Sequence, residues 1–204
     1  MLISDVKKIY PSLERVCDII EKEEKISTLF PYQEECIYNL DKSLFLSIPT
    51  SGGKTLVAKI AALKNVIEGK GKVVYTCPLR AIASEKYEEF KKFEKLGIKV
   101  ALTMGDYDSD DPWLKEYDII ITTNEKLDSL IRHKSNFIKD VSLLIVDEIH
   151  LLDDVSRGPT LEIVITRLRR LLKNLTIFAL SATVPNSKEI ASWLGAKLIH
   201  SNFR

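Results

Sequence analysis

The sequence predicts an α/β domain: one mainly parallel sheet with helices on both faces. Two observations carry that expectation. Short apolar runs at residues 44–48, 73–76, 98–102, 117–121, 143–146 and 176–180 alternate with segments whose apolar residues recur at helical spacing. Several of these runs are apolar throughout, as strands covered on both sides must be. The length of 204 residues suits one sizeable domain of this kind. The net charge of +1 excludes a strongly basic chain, so any nucleic-acid footprint must be local. Cys17, Cys36 and Cys77 are odd in number, far apart and without metal-ligand spacing, which reads as reduced thiols in an intracellular, cytoplasmic protein. The sequence contains neither a membrane-length apolar stretch nor a signal-peptide pattern, so no membrane partner is expected.

The elements follow in order. Residues 1–28 are expected to form an N-terminal helical segment, with Leu13, Val16, Ile19 and Ile20 on one face and Pro11 in a first turn. Residues 21–25 read as its solvated end. Residues 29–200 form the main domain. It opens with Leu29-Phe30-Pro31-Tyr32-Gln33 and a short helix through Ile37 and Leu40. After the strand at 44–48, Leu56, Ile60, Leu63 and Ile67 mark one helix face. The strand at 73–76 leads to a helix with Leu79, Ile82, Ala83, Tyr87, Phe90 and Phe93 on one side, and Gly97 closes it. Residues 108–112 form an acidic turn. Thr122 and Glu125 match a capping box for a helix carrying Leu127, Leu130 and Ile131. Gly158 and Pro159 open a helix whose Arg167, Arg169, Arg170 and Lys173 form its wet face. Asn186, with Glu189, caps a last helix that Gly195 ends. Residues 201–204 read as the start of a linker.

Two stretches carry chemistry. The first is Pro49-Thr50-Ser51-Gly52-Gly53-Lys54-Thr55, between a strand and a helix. The first amides of a helix lack partners and attract anions. Glycines let the backbone approach a phosphate closely. Lys54 can reach a nucleotide's β- and γ-phosphates, and the Thr55 hydroxyl can ligate Mg²⁺. Ile48 stands where a small residue is usual. The second stretch is Asp147-Glu148-Ile149-His150, at the end of an apolar strand. Ligands of open α/β sheets bind at that edge. Asp147 can hold Mg²⁺, and Glu148 can orient or deprotonate an attacking water. An amide such as Gln33 can pair with an adenine edge.

Together the motifs resemble the first motor domain of a superfamily 2 helicase. The resemblance is closest to the Ski-two-like branch, and within it to the archaeal Hjm-type DNA repair helicases. It runs from about Leu29 to the end of the sequence. Phe30-Pro31-Tyr32-Gln33 is similar to the Q motif and residues 49–55 to motif I. Pro78-Leu79-Arg80-Ala81 with Ser84-Glu85-Lys86-Tyr87 is similar to motif Ia. Gly105-Asp106-Tyr107 and residues 123–128 are similar to the motif Ib region, Asp147-Glu148-Ile149-His150 to a DEAH-box motif II, and Ser181-Ala182-Thr183 to motif III.

The resemblance implies a RecA-like fold, ATP and Mg²⁺ as cofactors, and an ATP-dependent 3′–5′ DNA helicase acting in repair or at replication forks. It implies that Gln33 reads adenine, that residues 49–55 hold the phosphates, and that Lys54, Asp147 and Glu148 are catalytic. His150, Ser181 and Thr183 would couple nucleotide state to movement. Pro78, Leu79, Arg80, Thr123 and Asn124 would touch single-stranded or forked DNA; Asn124 stands where Ser is more usual. A second motor domain holding arginine fingers is implied as partner, so this chain alone is expected to hydrolyse ATP slowly or not at all. The alternatives are an RNA helicase of the same branch and a non-catalytic nucleotide-binding interaction module.

Overall fold

The computed structural model describes residues 1–49, 53–105 and 111–201. Its centre is a sheet of β1 (Leu44–Ser47), β2 (Lys72–Cys77), β3 (Val100–Thr103), β4 (Ile119–Thr123), β5 (Val141–Val146), β6 (Thr176–Ser181) and β7 (Lys197–His200). The spatial order is β3-β4-β2-β5-β6-β1-β7. Every strand pairing described within this sheet is parallel. The expected architecture is therefore what forms. Its cause is visible strand by strand, because successive side chains enter opposite cores. Leu44, Leu46, Val73, Tyr75, Leu143 and Ile145 face one cluster. Phe45, Val74, Leu144, Val146, Ile177 and Ala179 face the other.

The first cluster is closed by α1 (Ile3–Ile9), α2 (Glu14–Glu23), α3 (Pro31–Ile37), α4 (Lys54–Ile67) and α5 (Arg80–Lys91). The second is closed by α6 (Asn124–Arg132), α7 (Gly158–Leu171) and α8 (Ser187–Leu194). The N-terminal helices are part of the first core. Ile3, Val6, Leu13, Val16, Cys17 and Ile20 are fully buried in it, and each such side chain contributes roughly 1.5–3 kcal/mol. Among the described residues no helix is long and apolar enough to cross a membrane.

Four local expectations need correction. The end of the N-terminal segment is not all solvated: Glu24 turns inward, its carboxylate 2.6 Å from the buried Lys59 ammonium. The cap of α6 is Thr123, whose hydroxyl accepts from the Lys126 amide, because β4 runs two residues further than expected and takes in Thr122. Leu79 precedes α5 and faces solvent instead of the core. Asn186 occupies the N-cap position of α8, but its side chain makes no capping bond. Gly195 does end α8, in the left-handed conformation at φ 63°. All three cysteines are free and buried; burial pushes the Cys17 thiol up to about 11 and the Cys36 thiol up to about 12.

Candidate functional site

Parallel pairing brings the C-terminal ends of β1, β2, β4, β5 and β6 to one edge, and the predicted site residues collect there. After β1, Ile48 is buried and its amide donates to the Ser181 carbonyl. Thr50, Ser51 and Gly52 lie outside the described residues, as do Asp106 and Tyr107. Gly53 has φ 77°, and a Cβ there would lie 2.9 Å from the Gln33 amide nitrogen. The left-handed backbone and the close approach both require glycine.

Lys54 opens α4, and its side chain turns back toward the end of β1. Its ammonium donates to the Ile48 carbonyl at 2.8 Å and reaches the Pro49 carbonyl at 3.4 Å. It is 6% exposed and forms no ion pair among the described residues. Burial pulls its pKa below the ordinary lysine value, against the pull of Glu148 and Asp147. A desolvated ammonium resting on neutral carbonyls is a group prepared to receive an anion.

At the end of β5, the Asp147 amide donates to the Thr76 carbonyl, which fixes its place beside β2. One carboxylate oxygen accepts from the Tyr75 hydroxyl at 3.1 Å and the other from the Glu148 amide at 3.0 Å. Burial, then the charge of Glu148, raises the Asp147 pKa above the ordinary aspartate value. Glu148 adopts the left-handed conformation, φ 51° and ψ 47°, which turns its side chain away from the strand direction. Its carboxylate is 3.1 Å from His150 Nδ1, and the Ser181 hydroxyl is 3.5 Å from the same nitrogen. Glu148, His150 and Ser181 are therefore one connected group. Thr183, by contrast, is exposed.

Gln33 is only 2% exposed and both ends of its amide are engaged. The oxygen accepts from the Phe30 amide and the nitrogen donates to the Gly53 carbonyl, each at 2.9 Å. Here Gln33 ties α3 to Gly53 at the start of α4. Beside it, the exposed Phe30 ring stacks on Tyr32 with centroids 6.0 Å apart.

On the neighbouring rim, Pro78 is buried while Leu79 and Arg80 are exposed. The Arg80 guanidinium lies beside Gly105. Thr123 and Asn124 are 3% and 1% exposed. Asn124 accepts from the Thr76 hydroxyl at 2.6 Å, so these two side chains brace the start of α6 against β2 beneath the rim. Two site neighbours escape sequence reasoning. Tyr75 looks like one more apolar strand residue, yet it holds Asp147. Lys86 lies on α5, but its ammonium is 3.5 Å from the Thr55 hydroxyl.

The donor set fits a small, hard divalent cation bound together with a nucleotide. One hydroxyl, Thr55, and one buried carboxylate, Asp147, are offered; among the described residues no group of three or more His, Cys, Asp or Glu could hold a metal. Mg²⁺ characteristically takes one or two protein oxygens and completes its shell with water and phosphate.

Known proteins carry the same organisation. The DEAD/DEAH box helicase family matches residues 30–190. The chain is similar to the ATP-dependent DNA helicase Hel308 of Pyrococcus abyssi, 48% identical over 194 residues, covering 94% of this chain and 27% of that protein. It is also similar to the ATP-dependent DNA helicase Hel308 of Thermococcus kodakarensis (48% identical, 95% of this chain, 17% of that protein) and of Caldivirga maquilingensis (46%, 95% and 26%). The chain thus spans about a quarter or less of the length of these relatives. The match contains both the Lys54 and the Asp147–Glu148 halves of the site, and the chain belongs to the DEAD/DEAH box helicase family.

Proposed function

We propose that residues 29–200 are the ATP-binding first motor domain of an ATP-dependent 3′–5′ DNA helicase of the Ski-two-like branch, acting in repair or at replication forks. The observation that carries this reading is the buried Lys54 ammonium, held on carbonyls without a counter-ion among the described residues at the same sheet edge as the Asp147–Glu148 pair. The relatives described above are named DNA helicases, which favours DNA over RNA.

Each residue's task follows from its chemistry. The α4 amides and Lys54 hold the phosphates. Thr55 and Asp147 would hold Mg²⁺, which when bound offsets charge on the phosphoryl oxygens. Tyr75 keeps the Asp147 carboxylate aimed at that place. Glu148 accepts the proton of the attacking water, and His150 with Ser181 reports its state to the rest of the edge. The exposed Leu79–Arg80 rim contacts a nucleic-acid backbone, with Pro78, Thr123 and Asn124 shaping it from below. A second motor domain supplies arginine to complete turnover, so this chain alone turns over slowly.

Calorimetric titration with Mg·ATPγS, beside Lys54→Ala, tests the nucleotide reading: binding should disappear in the variant. In the full-length helicase, Glu148→Gln should lower DNA-stimulated kcat by about 10²–10⁴-fold, the usual worth of a general base, with nucleotide binding retained. Unchanged turnover would remove Glu148 from that role.

A further inference from the structure

We propose that Lys86 is a positioning residue for the metal end of the phosphate site, a resident cation that holds Thr55 until a metal–nucleotide complex arrives. The inference rests on the nucleotide-binding reading and extends it to a residue with no assigned role.

A lysine on a helix next to solvent normally keeps its ammonium in water. Lys86 does the opposite: its side chain is 9% exposed. The ammonium is 2.8 Å from a Glu89 carboxylate oxygen, 3.2 Å from one of Glu85 and 3.5 Å from the Thr55 hydroxyl. Glu89 in turn lies 3.4 Å from the Lys59 ammonium, and Lys59 lies 2.6 Å from Glu24. Alternating charges therefore run from the end of α2 to the hydroxyl that would ligate the metal. The last positive charge of that series is aimed at the site. The Lys86 charge also acts on Asp147, opposing the rise that burial and Glu148 produce.

The consequence has a definite sign. A fixed cation beside Thr55 favours the nucleotide anion without its metal and opposes entry of a divalent ion. Lys86 should therefore narrow the difference in affinity between metal-free and metal-loaded nucleotide. A residue that only ties α5 to its neighbours would change both affinities alike.

The experiment is calorimetric titration of ATPγS into the protein with excess Mg²⁺ and with EDTA, reading the ratio of the two dissociation constants. Lys86→Gln should raise the EDTA-to-Mg²⁺ ratio by about tenfold, the scale of one charge-assisted hydrogen bond. Lys86→Arg, which keeps the charge, should leave the ratio near wild type. Glu89→Gln, which releases the ammonium from one anchor, should lower it. An unchanged ratio in folded Lys86→Gln overturns the proposal and leaves the nucleotide reading standing. If Lys86→Gln does not fold, the proposal stands or falls on whether Glu89→Gln lowers the ratio. No binding by the wild type under either condition overturns the nucleotide reading, and this proposal with it.

Discussion

Helix α4 carries three lysines buried to nearly the same degree, Lys54, Lys59 and Lys64, and they live in two different electrostatic worlds. Lys59 is held by Glu24 and Glu89, and Lys64 by Asp41 at 2.7 Å and Glu68 at 2.8 Å. Lys54, at the helix start, rests on the Ile48 and Pro49 carbonyls. The first two serve the fold, because each closes a gap between α4 and an element packed on it. The third has no ion pair among the described residues and feels only the weaker pull of Glu148 and Asp147. Burial alone does not mark a functional lysine. Burial without a counter-ion does, and its trace is the lowered Lys54 pKa.

That contrast can be broken most directly by making the same substitution at both places. Lys59→Met strands the partly buried Glu24 and should cost about 3 kcal/mol in urea denaturation. Lys54→Met removes a charge that folding disfavours and should cost less than about 1 kcal/mol, while nucleotide binding is lost. Equal costs would erase the distinction.

Two glycines sharpen it next. Gly53 and Gly195 are both left-handed, but a Cβ at Gly195 meets nothing closer than Arg169 at 3.8 Å, whereas at Gly53 it meets Gln33 at 2.9 Å. Each change to Ala should cost about 1–2 kcal/mol for backbone handedness, with Gly53→Ala the costlier of the two. If the two melt alike, the phosphate end is not built on close approach.

The smallest effect concerns Asp147. Its folded pKa is raised, so folding disfavours the carboxylate. The resulting loss of stability is absent at low pH, where the group is protonated folded and unfolded, grows as pH rises from the unfolded value to the folded one, and is complete above it. Asp147→Asn should therefore raise the melting temperature at pH 7 by a modest amount. The gain should fade as the pH is lowered through the carboxylate range. A variant less stable than wild type at pH 7 would show that the Tyr75 and Glu148 bonds outweigh the charge.

Much of this was legible in the sequence, and the failures share a cause. The sheet could be read because its strands are apolar runs that any folding chain must cover on both faces. Lys54, Asp147 and Glu148 could be read because each stands in a short recognisable run that follows an apolar strand, Lys54 where the next helix opens and the two carboxylates directly at the strand end. Lys59 and Lys86 could not, since a lysine at helical spacing looks like a solvated face until a group from another element meets it, Glu24 at Lys59 and the Thr55 hydroxyl at Lys86. Tyr75 was hidden for the same reason: its partner lies on a strand distant in sequence. Gln33 could be found but its bonds could not be foreseen, because a lone amide can serve a base or the backbone equally well, and here it holds Phe30 and Gly53. The cap of α6 slipped by one because two adjacent threonines both satisfy the rule and only the length of β4 decides between them.

The left-handed backbone of Glu148 bears on how such domains age. A side chain with a Cβ in that conformation costs roughly 1–2 kcal/mol, which glycine would avoid and asparagine would reduce. While the carboxylate is needed, selection keeps the strained residue. In a descendant that no longer turned over nucleotide, nothing would oppose the stabilising change, and position 148 would be among the first to drift to Gly or Asn. Under the proposed role, glutamate retained at this position would mark continued use.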